Sequence, residues 1–350
     1  MMTLAALFRR AAVPATALLA LAATTIQAAP RPKSYELEFF DPSAVDGIDA
    51  GQYSGISNRA RLAEAYDEDF APVGVIETGK GLEVFRITEP SEGYAWCRGI
   101  NDRRTTVGSL QSWSEVRVSG WMRDGKGNVS TYEDSSGDVY LFRVNNKDVA
   151  VGEVDYSFDF FRPAIVDCHG FSVVDVLGVP SDHPAYFAAI NDAGAIVGGT
   201  FDPDTWEHTC LLWTRCGVTE ITHDGASMVA PRAINNNGQV AGFWIEEDLD
   251  PLIGERSHGF IRDRNGRFHT VDIEFPFEDE IDFGDGETFL LVDQTIKILD
   301  MNDEGEVVVE FTGWYLGHYE FGGETYDYVL PLWTNAVAVP AGCSGHGRHK

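Results

Sequence analysis

The sequence predicts an all-β repeat protein, a β-propeller of six blades, and three observations lead there. A turn centred on asparagine recurs at Asn58, Asn101, Asn145, Asn191, Asn235 and Asn302, at spacings of 43, 44, 46, 44 and 67 residues. A fixed period in this range marks one supersecondary unit repeated until its faces are covered. Each turn lies between short apolar segments that read as strands, as Ile190 and Ile196-Val197 do around Asn191-Asp192-Ala193-Gly194. Finally, Tyr35 to Phe40 alternates like a lone last strand at the chain's beginning, matching Thr270 to Phe275 at the end of a repeat. Such a strand can pair into the C-terminal blade and close a ring, which removes exposed sheet edges. A degenerate seventh blade and an open β-solenoid are the alternatives.

Taken in order, the chain opens on a segment that is not part of the repeats. Arg9 and Arg10 precede the Ala- and Leu-rich stretch Ala11 to Ala23, and small residues follow to Ala28. Residues 1–28 read as a secretory signal peptide, too short and too weakly apolar for a spanning helix. The propeller is expected over residues 30–340, with an acidic insertion near 275–295 and a flexible tail at 341–350.

Within the repeats, the turn asparagine can bond to backbone N–H groups two residues on, and glycine accepts the positive φ that follows. Gly194, Gly238 and Gly305 hold that position in the fourth, fifth and sixth copies. Arg104 and Asp148 stand there in the second and third, and the first copy has Ala where Gly is expected. Aspartate costs little at positive φ and arginine more. A second hairpin follows each turn: His208 to Thr214 with Val218 to Ile221 in the fourth copy, His258 to Arg262 with Phe268 to Ile273 in the fifth. One repeat therefore holds about four strands. In the last copy Leu330 to Thr334 and Asn335 to Val339 read as separate strands, which competes with Tyr35 to Phe40 for the final place.

These residues resemble the bacterial extracellular HAF-repeat proteins. That unit is Ile-Asn-x-x-Gly-x-(Val/Ile)-x-Gly followed by a His-Ala-Phe-Leu-Trp-like strand. Ala189 to Gly199 with His208 to Trp213 matches it well, and Ala233 to Phe243 with His258 to Ile261 next best. The other four copies match in part. The resemblance implies an exported repeat protein and brings no general biochemical role with it.

Composition narrows the partners. A 44% hydrophobic and 12% aromatic content supplies a core. The net charge of −29 repels nucleic acid and anionic membranes, so neither is an expected partner. A secreted, periplasmic or cell-surface monomer that meets an extracellular protein or glycan is expected, with no membrane insertion after signal cleavage.

No catalytic residues emerge: Gly-x-Ser-x-Gly, His-Glu-x-x-His and phosphate-binding glycine loops do not occur. No cofactor is expected. Asp279, Asp282, Asp285 and Glu287 would suit calcium, but a solvated acidic loop has the same composition. Cys168 and Cys216 occupy similar turns of consecutive repeats and make a plausible disulfide, while Cys210 reads as a buried thiol. His208 and His258 share one repeat position, which points to a structural role. Trp206, in the loop Asp202 to Glu207, is the tryptophan best placed to stack on a sugar. The leading expectation is a non-catalytic binding protein; the alternative is a carbohydrate-active enzyme with a carboxylate pair on the propeller face.

Overall fold

A four-stranded antiparallel sheet of short strands leaves two apolar faces bare, and stacking blades around an axis covers both. The computed structural model of this chain describes residues 35–157, 160–246, 256–271, 273, 276, 280–282, 288–321 and 324–340. The predicted leader, the tail and most of the acidic insertion lie outside them, including Asp279, Asp285, Glu287 and Cys343.

The chain begins with β1 (Tyr35–Phe39) and a short 3-10 turn over Pro42–Ala44. Blade one is β2 (Ile48–Ile56), β3 (Ala60–Asp67), β4 (Pro72–Thr78) and β5 (Gly81–Phe85). Blade two is β6 (Gly93–Ile100), β7 (Thr106–Ser112), β8 (Val118–Arg123) and β9 (Val129–Tyr132). Blade three is β10 (Asp138–Val144), β11 (Ala150–Ser157), β12 (Phe160–Asp167) and β13 (Gly170–Val173). Blade four is β14 (Ala185–Ile190), β15 (Ile196–Phe201), β16 (His208–Thr214) and β17 (Gly217–Glu220). Blade five is β18 (Ala226–Ile234), β19 (Val240–Glu246), β20 (Ser257–Arg262) and β21 (Phe268–Val271). After β22 (Glu280–Asp282), blade six follows with β23 (Thr288–Met301), β24 (Val307–Phe321) and β25 (Glu324–Pro340).

The fourth strand of blade six is β1. It pairs antiparallel with β25 from Tyr35 opposite Pro340 to Phe39 opposite Ala336. Each first strand neighbours the first strands of the flanking blades, and β23 returns to β2. The ring is closed, which rules out the open solenoid, and the described residues form six blades. The competition for the last strand also resolves. Leu330 to Val339 is part of one continuous strand, β25, third in its blade, and β1 completes the sheet outside it. Residues in the stretch read as an acidic surface insertion include strand: β22 pairs with β23, whose length of 14 residues takes it well beyond its blade.

Between blades the core is made by the strand faces. Leu62, Ile76, Phe85, Cys97 and Trp121 fill the junction of blades one and two. Trp121 has no solvent exposure, and its Nε1 donates to the Ser109 carbonyl at 3.1 Å. The glycine ending the repeat motif has a packing reason. A Cβ at Gly108, Gly152, Gly198 or Gly242 would lie 1.8–2.1 Å from the carbonyl oxygen of the neighbouring first strand.

The turn glycines adopt the left-handed backbone, with φ of +78° at Gly194, +75° at Gly238 and +82° at Gly305. Arg104 (φ 62°) and Asp148 (φ 58°) adopt it as well. Asp148 gains two side-chain hydrogen bonds there, from Asn101 Nδ2 at 3.0 Å and Thr105 Oγ1 at 2.8 Å. Arg104 gains a half-exposed ion pair with Glu83 at 3.0 Å, a weak return on a strained backbone. Arg104→Gly is expected to stabilise the protein by ~0.5 kcal/mol in urea unfolding. A loss above ~1 kcal/mol would mean that the ion pair outweighs the strain.

Candidate functional site

The asparagine turns gather at one end of the central channel. Asn101, Asn145, Asn191, Asn235 and Asn302 each accept two backbone N–H bonds of their own turn through Oδ1, as Asn191 does from Ala193 and Ala195 at 3.0 Å. Their Nδ2 groups reach the next blade. Asn101 donates to the carbonyl of Asn145, Asn145 to Asn191, Asn191 to Asn235 and Asn235 to Asn302, at 2.7–3.1 Å. Asn302 donates to the Ser57 carbonyl at 3.4 Å. The first turn is one residue shorter than the others, running from Ser57 N–H to the Ala60 carbonyl. Ser57 therefore fills the place the other copies give to asparagine, and Asn58 falls one position later.

That shift puts Asn58 into a second ring. Asn58, Asp102, Asn146, Asp192, Asn236 and Asp303 alternate amide and carboxylate around the axis. Each Asp Oδ2 accepts from the amides on both sides at 2.9–3.2 Å. Every side-chain amide of this belt donates to carboxylates on both sides, so the three acids are engaged structurally. Among the described residues no group of His, Cys, Asp and Glu is arranged to hold a metal ion.

Below the ring is a depression of roughly 70 Å³, bounded by the turns together with Arg143 and Asp300. These two residues stand two places before the turn position on blades three and six, which face each other across the channel. Arg143 Nε lies 3.2 Å from Asp300 Oδ1. The guanidinium also donates to the carbonyls of Arg98 at 2.5 Å, Phe142 at 2.7 Å and Leu299. Asp300 accepts from the N–H groups of Ile56 at 3.0 Å and Met301 at 2.9 Å. Gly55, Gly99, Ala189 and Ala233 occupy the same position in the other blades, leaving room for the pair. Burial pushes the Asp300 carboxyl above its usual value, opposed by Arg143, and pulls the Arg143 guanidinium down, opposed by Asp300. The channel is plugged.

On the other side of the plug the channel is lined by the first strands. All six carry a β-bulge at one register, which inserts Ser54, Arg98, Phe142, Ala188, Arg232 or Leu299 three places before the turn position. A bulge re-aims a side chain at the cost of one ladder pairing. Arg98 and Arg232 are exposed although they lie on innermost strands, so they face the channel. Nearby, Glu64 is buried; both Tyr66 and Tyr94 donate to its Oε1 at 3.2 Å, and the Cys97 N–H donates to Oε2 at 3.2 Å. Phe243 lies under Arg232 and Lys297, each 5.6 Å from its ring centre.

At this open end the loops between second and third strands expose aromatic side chains. Phe70 in blade one is 77% exposed, Trp113 in blade two 61% and Trp206 in blade four 50%. Phe70 and Trp206 sit at positive φ, 59° and 61°, an unusual backbone for bulky residues. Asp202 holds the Trp206 loop in shape. Its Oδ1 accepts from Asp204 N–H at 2.9 Å and Thr205 N–H at 3.0 Å, and its carbonyl accepts from Trp206 N–H at 2.8 Å. Trp314 and Trp333 are exposed as well, so half of the tryptophans do not fill gaps between blades.

The remaining candidates fall as follows. His208 Nε2 lies 3.0 Å from the Tyr186 hydroxyl and stacks on Phe201 at 4.5 Å. His258 Nε2 lies 2.8 Å from Glu246 Oε1, and its ring stacks on Trp244 at 4.4 Å. Both histidines tie third strand to second and do not converge. Cys168 and Cys216 are exposed and unpaired, so the plausible disulfide is not formed; Cys97 and Cys210 are buried thiols.

Glu153 makes no hydrogen bond or ion pair among the described residues. Burial pushes its carboxyl from 4.5 up to about 7, with Asp155 adding and Arg232 opposing. Between about 4.5 and 7 the folded state holds the extra proton, so this residue makes stability fall as pH rises. His208 does the opposite. Burial lowers it from 6.5 to about 4, so the unfolded chain holds the proton in that window and stability is lost as pH falls through it. Glu153→Gln is expected to raise the Tm at pH 8 and leave it nearly unchanged at pH 4.5, and His208→Gln to flatten the acid limb. Melting curves from pH 4 to 8 check both; an unchanged Tm of the Glu153 variant at pH 8 would show a solvated acid.

No family model matches the sequence, and no curated protein matches it. Several solved β-propellers are similar in fold. A virginiamycin B lyase from Staphylococcus aureus is 9% identical, covering 87% of this chain and 99% of that one with a TM-score of 0.42. The Aleuria aurantia lectin, in complex with Fucα1-6GlcNAc, is 10% identical, with 89% and 100% covered and a TM-score of 0.41. A prolyl endopeptidase is 10% identical and aligns over 94% of this chain and 55% of its own, with a TM-score of 0.46. At these identities the likeness is one of fold alone.

Proposed function

We propose that this protein is an exported, non-catalytic binding protein built from HAF-type repeats, and that its ligand is a glycan held at the open end of the channel. One observation carries the reading: the exposed aromatics Phe70, Trp113 and Trp206 all rise at the end where the channel is open, above a floor closed by Arg143 and Asp300. Aromatic side chains fixed on turns offer large contact area at low entropic cost, and a blind channel gives a sugar chain a place to end. Trp206 adds a rigid platform, because its loop is closed by Asp202 before any ligand arrives.

The second reading, an enzyme acting on extracellular carbohydrate, has one observation in its favour. Glu153 is a carboxyl without a hydrogen-bond partner whose pKa of about 7 suits general acid–base work. The carboxylate nearest to it along the chain, Asp155, stands two residues on in the same strand and accepts from the Ser157 N–H at 3.1 Å, while Glu64 is tied to two phenols and the channel aspartates to amides and Arg143.

Thermal shift of the mature chain against an oligosaccharide panel tests the reading. A glycan that raises the Tm is expected to lose its effect in Ser54→Trp, which fills the channel from a bulge position, and to weaken in Trp206→Ala. Binding unchanged in both variants would move the ligand elsewhere and sink the proposal. Release of reducing sugar, abolished by Glu153→Gln, would replace it with the enzyme reading.

A further inference from the structure

Resting on the open end as the binding face, we infer that the channel holds the acidic group of a sugar acid, gripped from opposite walls by Arg98 and Arg232. The two arginines occupy the same bulge register on blades two and five, which face each other in a six-bladed ring. Both are exposed on innermost strands, and neither guanidinium makes a hydrogen bond or ion pair among the described residues, although Arg232 rests over the Phe243 ring. In a chain with 55 acidic against 26 basic residues, a guanidinium without an acidic partner needs a reason.

The charge beneath them is already neutralised. Arg143 feels both arginines, but Asp300 balances it, so the guanidiniums left with unfilled hydrogen-bond donors are the pair at the bulge level. Each arginine has an acid within electrostatic reach and none in contact. Glu64, the acid nearest in charge to Arg98, keeps its oxygens on Tyr66, Tyr94 and the Cys97 N–H. Glu153 lies within reach of Arg232, and at a pKa of about 7 it is charged only in part at neutral pH.

The rest of the wall suits a sugar ring. Trp96 and Tyr140 stand two residues before the bulges of blades two and three, on the strand face the bulge continues; Tyr186, at that register in blade four, is buried with its hydroxyl 3.0 Å from His208 Nε2. Tyr140 senses Arg98 and Glu153, and Tyr186 senses Arg232 and Glu153, so these groups form one neighbourhood around the axis. Aromatic faces stack on the apolar side of a pyranose, Glu153 can exchange hydrogen bonds with hydroxyls, and planar guanidinium forks match a carboxylate.

Calorimetry with three probes tests the assignment: a galacturonate trimer, its neutral methyl ester, and a galactose 6-sulfate disaccharide. The acid is expected to bind roughly 10- to 100-fold more tightly than the ester. Arg98→Gln and Arg232→Gln should each remove most of that advantage, with a much smaller effect on ester affinity. Added salt should weaken the acid selectively. Equal affinity for acid and ester, or acid binding untouched in both variants, overturns the inference. If the neutral ester still loses its binding in Ser54→Trp, the channel reading survives that failure. Binding of the sulfate without the uronate overturns the carboxylate assignment, and no binding by any of the three overturns this inference while the oligosaccharide panel decides the glycan reading separately.

Discussion

Asp300→Ala is expected to cost about 3–5 kcal/mol of stability, the largest effect of any single substitution in the channel. The change leaves Arg143 with its charge buried against a ring of carbonyls and strips the N–H groups of Ile56 and Met301 of their acceptor. Neither partner can turn to solvent, since the side chains are 13% and 8% exposed. Replacing both, as Arg143→Leu with Asp300→Leu, should recover part of the loss, because an apolar pair needs no desolvation of charge, while the backbone groups that met the pair stay unpaired. Urea unfolding of the two single variants and the double variant gives the coupling directly. A loss below ~1 kcal/mol in Asp300→Ala would mean that water from the open end solvates Arg143.

Deleting Tyr35 to Phe39 is expected to lower stability by about 4 kcal/mol and to cause association on heating. The strand supplies Leu37 and Phe39 to the core of blade six and its Glu38 to Arg61 of blade one at 2.5 Å. Without it β25 becomes a free edge, and the ring loses the link that ties its first and last segments. Melting curves with light scattering report both effects, and a peptide spanning residues 35–40 added in trans should restore part of the Tm. A truncated chain that melts like the intact one would show that packing between blades one and six closes the ring unaided.

Much of the fold is legible in the amino-acid sequence. Blade number follows from the asparagine spacing, because a turn residue that caps its own loop must recur wherever the loop does. Ring closure follows from the likeness of Tyr35 to Phe40 to a last strand. Arg104 and Asp148 stand at a glycine position, and both adopt the positive φ that position demands. Other features are written in the sequence but masked by alignment. Aligning Asn58 with the other asparagines hides the one-residue deletion in the first turn, and with it the ring that runs through the following position.

The candidate site is the least legible. Arg98 and Arg232 carry no motif, and a β-bulge leaves no mark on a two-residue periodicity until the pairing register is known. The plug is harder still to foresee. Arg143 and Asp300 are 157 residues apart, and only the opposition of blades three and six brings them together. Trp206 stands out through its acidic loop, whereas Phe70 and Trp113 join it at the open end only because the ring brings their loops there.

The belt of alternating amide and carboxylate sets a parity rule on how such a ring can grow. Asp102, Asp192 and Asp303 are each flanked by donors, so the smallest unit that preserves the pattern is two blades. Inserting or removing one blade would bring two aspartates shoulder to shoulder, with like charges and no proton between them, or two asparagines with an acceptor missing. Four, six or eight blades satisfy the belt; five or seven do not. A ring built on this belt would have to gain or lose blades in pairs, by hydrogen-bond complementarity at the axis and independently of how well the sheets pack.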